Sequence, residues 1–481
     1  MKPFSSPSDS ESTVDGRRVV DDKAPLDGEV PLDDPAPAGL FDPLLAAGGV
    51  RAAVDDRAWL RAMLDAEAAL ARAQAACGSV PVAAAEAITA TARDRRFDPA
   101  AIGAGATSAG NPVVPLVAAL RAAVGPDTAR YVHAGATSQD ILDTAAMLVV
   151  RRALGPMLDD VRRAAAAAAR LAATHRDTLL PARTLLQQAL PTTFGLVAAG
   201  WLTALDTAAR RLGTVRDEVP AVQLGGAAGT LAAFGADGPA LVDRLAAELD
   251  LAAPQLPWHT DRSRLAELAG VLGGTAGSIS KIARDVTLHA QTEVAELAEE
   301  RPGGSSTLPH KRNPVAAVTA VACAGQAPGL VATLLAAMTQ EHQRAAGGWH
   351  AEWRALRHLL ESVGSAAYWL RTCLEGLRVD AVRMRANLDL TGGALLAERV
   401  SGALAGQLGR HRANEIVAAA VTGGPAAGLA DRLAADPQVS TALSRAQLDE
   451  LLDPAGYLGA YGELIDRALR DHRSRPTQED R

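Results

Sequence analysis

The segment SISKIARDVTLHAQTEVAEL, residues 278–297, carries the pattern that decides the fold class. Apolar residues recur in it every three or four positions, at Ile279, Ile282, Val286, Ala290, Val294 and Leu297. This spacing predicts one long amphipathic helix with a continuous apolar face. A long face of small and branched residues is typical of a tightly packed helical bundle.

The composition of the whole chain favours helices in the same way. Its 481 residues are 48% hydrophobic but only 3% aromatic, so alanine, leucine and valine must form the core. Alanine and leucine are strong helix formers, and the alternating runs that indicate strands are nearly absent. We therefore predict an all-α protein with a length that suits about three domains.

Changes in composition divide the chain into four predicted segments. Residues 1–38 are rich in Ser, Pro and Asp and poor in apolar residues, which predicts a disordered acidic tail. An N-terminal helical domain is predicted over 39–146, a central helical-bundle domain over 147–366 and a C-terminal helical domain over 367–481.

Charge and cysteine usage exclude several classes of protein. The formal net charge of −7 argues against a nucleic-acid partner. Cys77, Cys323 and Cys373 are far apart and form no CxxC pair, so we expect no disulfide framework, no metal site and a reducing cytoplasm. We expect no membrane span, because we find no uncharged apolar run of about 18 residues, and no secretory signal.

The first candidate site is GATSQDILDT, residues 135–144. Thr137 and Asp140 have the spacing of a capping box before an apolar run, which predicts a helix start. The hydroxyl and amide groups of Thr137, Ser138 and Gln139 at a helix N-terminus also suit a carboxylate. Both interpretations remain open from these residues alone.

The second candidate is ATSAGNP, residues 106–112, which we predict to be a glycine-bearing polar loop. Ser108 and Asn111 offer the same kind of anion-binding chemistry there. Each of the two segments alone is weak evidence for a substrate site, and together they favour an anionic substrate.

The third candidate is GGSSTLPHKRNP, residues 303–314. Gly303 and Gly304 would let Ser305 move, and the prolines on either side of Lys311 restrict the backbone around it. The segment lacks the pattern of a phosphate-binding P-loop. The alternative is a mobile linker with a solvated His-Lys-Arg cluster.

These segments carry a family resemblance. GGSSTLPHKRNP resembles the GSSxMPxKxNP loop of the aspartase/fumarase superfamily, with Leu308 in the usual Met position. Five further segments occur along the chain in the same order as in that superfamily. They are GATSQDILDT, ARTLLQQALPTTFG (182–195), QLGGAAGTLA (223–232), KIARDVTLHAQTEVAE (281–296) and QEHQRAAGGWHAEW (340–353). The chain is most similar to the 3-carboxy-cis,cis-muconate cycloisomerase branch, which actinomycete nitrosuccinate lyases also resemble.

The resemblance implies an architecture and a reaction. It implies a three-domain all-α subunit in a homotetramer whose sites are shared between subunits. It implies a small dicarboxylate substrate and no metal or other cofactor. Ser305 would act as the general base, with Lys311 and Asn313 stabilising the resulting carbanion. Arg183 would contribute to substrate binding.

One departure from the superfamily pattern narrows the chemistry. Where fumarases and argininosuccinate lyases have the histidine of a GRTH motif, this chain has Leu185. A leucine cannot donate a proton, so a leaving group that departs unprotonated is favoured. Nitrite from nitrosuccinate and the carboxylate of a muconate lactone both qualify, and we prefer nitrite. Two alternatives remain: proton donation by another residue such as His133, and an inactive structural relative.

Overall fold

The computed structural model describes residues 39–423 and 428–475, so the predicted tail at 1–38 lies outside the described residues. The N-terminal part contains the helices α1 (Asp42–Leu45), α2 (Val50–Val54), α3 (Asp56–Ala76), α4 (Val82–Asp94), α5 (Pro99–Ala109), α6 (Val113–Val124) and α7 (Pro126–Ala129). Next come α8 (Ser138–Thr174), β1 (Leu179–Thr184), β2 (Gln187–Thr193), α9 (Phe194–Glu218), α10 (Gly238–Leu249), α11 (Ser263–His289) and β3 (Leu297–Glu299).

The second half is also mostly helical. It contains α12 (Val315–Ala324), α13 (Ala327–Ala336), α14 (Gly348–Glu375), β4 (Leu377–Val379), α15 (Ala381–Asp389), α16 (Ala397–Leu408), α17 (Arg410–Thr422), α18 (Leu429–Ala435), α19 (Pro437–Ala442), α20 (Arg445–Leu451) and α21 (Tyr461–Arg473). The predicted all-α class is confirmed, because the strands form only two small antiparallel pairs, β1–β2 and β3–β4.

The longest helices form the central bundle. The 37-residue α8 packs against α9 and α14, and α14 packs in turn against α11 and α12. Their facing sides bury the main hydrophobic core, which includes Met147, Leu154, Trp201 and Leu359. The alanine-rich sequence matters here, because small side chains let long helices approach closely along much of their length.

The opening segment is helical only over its first part. Ile279, Ile282 and Val286 are fully buried on α11, as the spacing predicts. The helix ends at His289, and Leu297 lies on β3, so the prediction of one helix through 297 was wrong. After the helix, the chain places the buried carboxylate of Glu296 within 2.6 Å of His289 Nδ1.

A second core lies in the C-terminal part. Val400, Leu404, Leu433 and other residues of α16 to α20 form a separate hydrophobic cluster. The last helix, α21, instead packs against α9 in the main core. All described residues belong to one compact unit. The expected boundaries after 146 and 366 fall inside α8 and α14, so the three-domain division stays a prediction.

An uncharged apolar stretch also departs from the sequence prediction. Residues Val315–Ala336, which span α12 and α13, are long and apolar enough to cross a membrane by length and composition alone. The expectation that no such run exists was therefore wrong. Cys323 and Leu334 pack into the core, whereas Val318 and Leu335 are about half exposed. This stretch thus has one buried face and one uncovered apolar face.

Candidate active site

The N-terminus of α8 is built by a capping box. Thr137 is the residue before the helix, and its side chain accepts a hydrogen bond from the backbone of Asp140. In return the backbone N–H of Thr137 donates to Asp140 Oδ2 at 3.0 Å. The capping box predicted from the Thr-x-x-Asp spacing is confirmed.

The Asp140 carboxylate also holds a distant loop against this helix end. Its Oδ1 accepts from the backbone N–H of Gly225 at 2.9 Å, and its Oδ2 accepts from Gly226 at 3.0 Å. His259 Nε2 lies 2.7 Å from the same Oδ1. Asp140 is buried. Its hydrogen bonds therefore hold the glycine-rich loop beside Thr137 and Ser138.

The Gln139 side chain binds the guanidinium group of Arg344 at the N-terminus of α8. Arg344 Nη1 donates to Gln139 Oε1 at 3.1 Å, and Arg344 Nη2 donates to the carbonyl of Gly226 at 2.7 Å. The Gln139 amide nitrogen donates to Asp143 and to the carbonyl of His259. The buried Gln139 side chain is therefore engaged within the chain, and its predicted contact with substrate stays a prediction.

A network of buried ion pairs connects the helices around the α8 N-terminus. Arg262, just before α11, donates to Asp143 on α8 at 2.7 Å and to Glu352 on α14 at 2.6 Å. Trp349 Nε1 also donates to Asp143, at 2.9 Å. All four side chains are buried, so the network ties together the helices that carry the site.

The 106–112 segment differs from its predicted form. Thr107 and Ser108 lie in the last turn of α5, so the expected loop begins only at Gly110. The exposed Ser108 hydroxyl donates to the carbonyl of Gly105 at 3.2 Å, as helical serines commonly do. Asn111 Oδ1 accepts from the backbone of Val113 at 3.1 Å and so starts α6.

The β1–β2 hairpin carries Arg183 and Leu185. Leu185 and Leu186 form its two-residue tip, between the paired Thr184 and Gln187. Both leucines have positive φ, 50° and 65°, and their exposed fractions are 97% and 72%. Left-handed backbone is costly for such side chains, so the tip is a strained and uncovered apolar feature.

Arg183 itself is held by a buried carboxylate. Its guanidinium makes two hydrogen bonds to Glu296, at 2.7 and 2.9 Å. His289 Nδ1 and the Asn387 amide approach the same carboxylate at 2.6 and 2.7 Å. Burial raises the pKa of Glu296, but the hydrogen bonds from His289, Arg183 and Asn387 outweigh it and lower the pKa to about 2.

The 303–313 segment is a closed loop. Gly303 and Asn313 exchange two backbone hydrogen bonds of 2.9 Å, and the Asn313 amide donates to the carbonyl of Gly304. Inside the loop, Ser305 Oγ accepts from the backbone N–H of Leu308 at 3.1 Å and from that of Thr307 at 3.4 Å. Donors at this oxygen favour its negatively charged form.

The loop is anchored to α12 by Glu299. The Glu299 carboxylate, at the end of β3, accepts from the backbone N–H groups of Ala316 and Ala317 at 3.1 and 2.8 Å. It caps a helix that has no side-chain cap of its own. Lys311 and Arg312 are exposed on the loop, and neither has an ion-pair partner among the described residues.

His133, the alternative proton donor, is paired with a carboxylate. Its Nδ1 lies 2.6 Å from Glu67 Oε1 on α3, and Glu67 is 1% exposed. Burial lowers the pKa of His133, but the hydrogen bond and charge of Glu67, with Asp140, outweigh it and raise the pKa. Arg121 opposes that rise. The pair holds the chain just before the α8 capping box.

Within one chain these segments remain separate. Among the described residues, no hydrogen bond or ion pair joins Ser305 and its loop to Thr137 or to Arg183. The sequence prediction missed Arg344 and His259, which the structure places at the α8 N-terminus. Arg344 lies in the 340–353 motif and could have been singled out, whereas His259 gives no local signal.

Comparison with known proteins identifies the family. Residues 42–329 match the lyase family, and residues 393–468 match the adenylosuccinate lyase C-terminus family. The chain is 49% identical to 3-carboxy-cis,cis-muconate cycloisomerase of Bradyrhizobium diazoefficiens, over 89% of this chain and 97% of the relative. It is 48% identical to nitrosuccinate lyase of Streptomyces davaonensis, over 90% and 94% of the respective chains.

A solved structure agrees. The crystal structure of 3-carboxy-cis,cis-muconate lactonizing enzyme from Pseudomonas putida superposes with a TM-score of 0.85 and 44% identity, covering 90% of this chain and 99% of that one. The predicted resemblance is confirmed: the chain belongs to this lyase family of the aspartase/fumarase superfamily.

Proposed function

We propose that the protein is a lyase that eliminates nitrite from nitrosuccinate to give fumarate. The observation that favours a leaving group needing no proton is Leu185, an apolar side chain at the tip of the hairpin where the superfamily has a histidine acid. Nitrite is a weak base and leaves as an anion without receiving a proton. The relative from Streptomyces davaonensis, 48% identical, bears the name of this activity.

Ser305 would begin the reaction as the general base. It removes the proton from the carbon next to one carboxylate, and the C–H electron pair moves into that carboxylate as its aci form. That pair then forms the new C=C bond, while nitrite departs with the C–N electron pair. The backbone donors at Ser305 Oγ support this assignment because they favour the alkoxide.

The charge that builds up on the carboxylate needs fixed donors. Lys311 carries a positive charge with no ion-pair partner among the described residues. The Asn313 amide donates to the carbonyl of Gly304 at the loop neck, where Gly303 and Asn313 pair. The α8 N-terminus, with Thr137, Ser138 and nearby Arg344, suits the second carboxylate of a dicarboxylate. Preorganised donors of this kind contribute about 3 kcal/mol each to the stability of a transition state.

A complete site would require several subunits. In the part of the chain that the structure describes, no hydrogen bond or ion pair joins the loop to the hairpin tip or to the α8 N-terminus. The apolar face with Val318 and Leu335 is about half exposed there. We therefore propose a homotetramer in which these segments meet. Light scattering that gives the mass of a stable, active monomer would contradict this assembly.

A cycloisomerase is the second candidate. The relatives from Bradyrhizobium diazoefficiens and Pseudomonas aeruginosa, 49% and 47% identical, are 3-carboxy-cis,cis-muconate cycloisomerases. In the lactone-opening direction that reaction also expels a carboxylate, which leaves without a proton. Leu185 is therefore compatible with it as well.

A substrate panel distinguishes the candidates. Purified enzyme is incubated with nitrosuccinate, carboxymuconate, malate, aspartate or argininosuccinate, and nitrite, lactone and fumarate are measured. We expect nitrite and fumarate from nitrosuccinate, and rates at least about 100-fold lower for substrates that need acid assistance. Lactone without nitrite would favour the cycloisomerase, and efficient malate dehydration would contradict both.

A further inference from the structure

A cavity lies between α3, α5, the start of α6, α8 and α14. Its volume is about 270 Å³. The lining is mostly apolar and comes from Trp59, Leu60, Met63, Pro99, Ile102, Gly103, Pro112, Leu142 and Trp353. An apolar cavity of about 150 Å³ can hold a benzene ring, so this one has room for a ring and a small substituent.

Three buried hydrogen-bond donors of the cavity residues have no partner in the described parts of the chain, 39–423 and 428–475. They are the indole nitrogens of Trp59 and Trp353 and the Nε of Arg357. Unsatisfied buried donors are rare in folded proteins, and three around one cavity call for a specific explanation. These atoms are less than 1 Å² exposed, so the indole rings must rotate to turn their nitrogens toward the cavity before a ligand with hydrogen-bond acceptors can supply the missing partner.

The charged side chains that line the cavity carry a net positive charge. Arg357 pairs with Asp56, which leaves Arg354 as a lining cation without an ion-pair partner among the described residues. Two guanidinium groups against one carboxylate leave one positive charge. An acceptor group that enters the cavity is therefore favoured when it is anionic.

We propose that this cavity binds a small carboxylic acid with a flat apolar body, such as an aromatic monocarboxylate. The ring would pack among Leu60, Ile102 and Leu142, and the carboxylate would accept hydrogen bonds from the two indoles. Ser305, Lys311 and the other predicted site residues do not line the cavity, although Pro112 of the 106–112 segment does.

A ligand in this cavity would sit close to the 106–112 segment. Trp353 packs against the rings of Trp349 and His350, with centroid distances of 4.8 and 4.7 Å. His350 Nε2 lies 3.0 Å from the carbonyl of Gly110. Occupancy of the cavity would thus fix the position of Trp353 next to the turn that contains Asn111.

Calorimetric titration of the full chain with benzoate and with benzyl alcohol tests the proposal. The two probes share a ring, but only benzoate has a carboxylate. We expect benzoate to bind at least tenfold more tightly. Trp59→Phe and Trp353→Phe keep a ring and remove the donor, so each should weaken benzoate about five- to tenfold and leave benzyl alcohol unchanged.

A blocking variant and its control locate the binding. A Cβ on Gly103 meets nothing within 4 Å, so Gly103→Leu can place its side chain in the cavity and should abolish binding of both probes. Gly402→Leu is an equally open, exposed helical glycine elsewhere, and should change nothing. If Gly103→Leu does not fold, fluorine NMR of 5-fluorotryptophan protein should show benzoate-dependent shifts at Trp59 and Trp353.

Three results would overturn the proposal. Equal affinity for the two probes would mean a generic apolar cavity. Unchanged benzoate binding in Gly103→Leu would place the ligand elsewhere. Loss of benzoate binding in Lys311→Met, with no effect of the cavity variants, would mean that benzoate occupies the candidate active site.

Discussion

Gly303 and Asn313 exchange both of their backbone hydrogen bonds, at 2.9 Å each, and so close the loop that presents Ser305. These two bonds hold the ends of the loop together. Its position relative to α12 is set separately by the Glu299 carboxylate. The position of Ser305 in the site should therefore depend strongly on the loop neck, the pairing of Gly303 with Asn313.

The first prediction concerns the neck. A Cβ on Gly303 would lie 2.2 Å from Val315 Cγ2, closer than atoms can approach. Gly303→Ala should lower kcat by at least about tenfold, since small displacements of catalytic groups are costly. Gly304→Ala is the matched control, because a Cβ there meets nothing within 4 Å. Similar kinetics for the two variants would show that the neck does not position the base.

The second prediction concerns the base. Ser305→Ala should lower kcat by orders of magnitude with little change in KM, because the base acts only in the transition state. Ser306 is exposed and accepts none of the loop hydrogen bonds that reach Ser305 Oγ. Ser306→Ala should therefore retain most activity. Steady-state kinetics showing the reverse pattern would make Ser306 the base.

The third prediction concerns the strained hairpin tip. Asn-Gly is the preferred pair where both turn residues have positive φ. Replacing Leu185 by Asn and Leu186 by Gly should stabilise the protein by about 1–2 kcal/mol. Turnover should fall if the apolar tip contributes to the site. Denaturant unfolding together with kinetics checks both effects, and a stabilised variant with full activity would remove Leu185 from the mechanism.

The fourth prediction concerns acid stability. The pKa of Glu296 is lowered from 4.5 to about 2 in the folded protein. The stabilisation is therefore present above pH 4.5 and is lost as the pH falls towards 2. Glu296→Gln should destabilise by about 3 kcal/mol at neutral pH, because it leaves Arg183 without its partner. It should also flatten the decline in stability below pH 4.5.

Glu300→Gln is the control for this experiment. Glu300 lies four residues further on and forms an exposed ion pair with Arg378 at 3.2 Å. Exposed pairs contribute little, so this variant should change the free energy of unfolding by less than about 1 kcal/mol. Equal destabilisation by both variants would contradict the special role assigned to Glu296.

Local patterns in the sequence were enough to predict several features of the fold and of the candidate site. The apolar spacing of 278–286 predicted a buried helix face, and Thr137 with Asp140 predicted the helix start. The glycines and prolines of 303–314 predicted a loop. Ordered motifs predicted the superfamily. All of these depend on residues within a few positions of one another, where backbone preferences and helical periodicity act directly.

The features that the sequence did not predict depend on contacts between residues far apart in the chain. Arg183 and Glu296 are 113 positions apart, and Asp140 and His259 are 119 apart. No local spacing in the sequence predicts such pairs. The helical turn at Ser108 was missed for a related reason, since a Thr-Ser-Ala-Gly sequence suits a loop and a helix end equally well. Tertiary structure chose between them because buried polar groups must find partners wherever the fold brings them together.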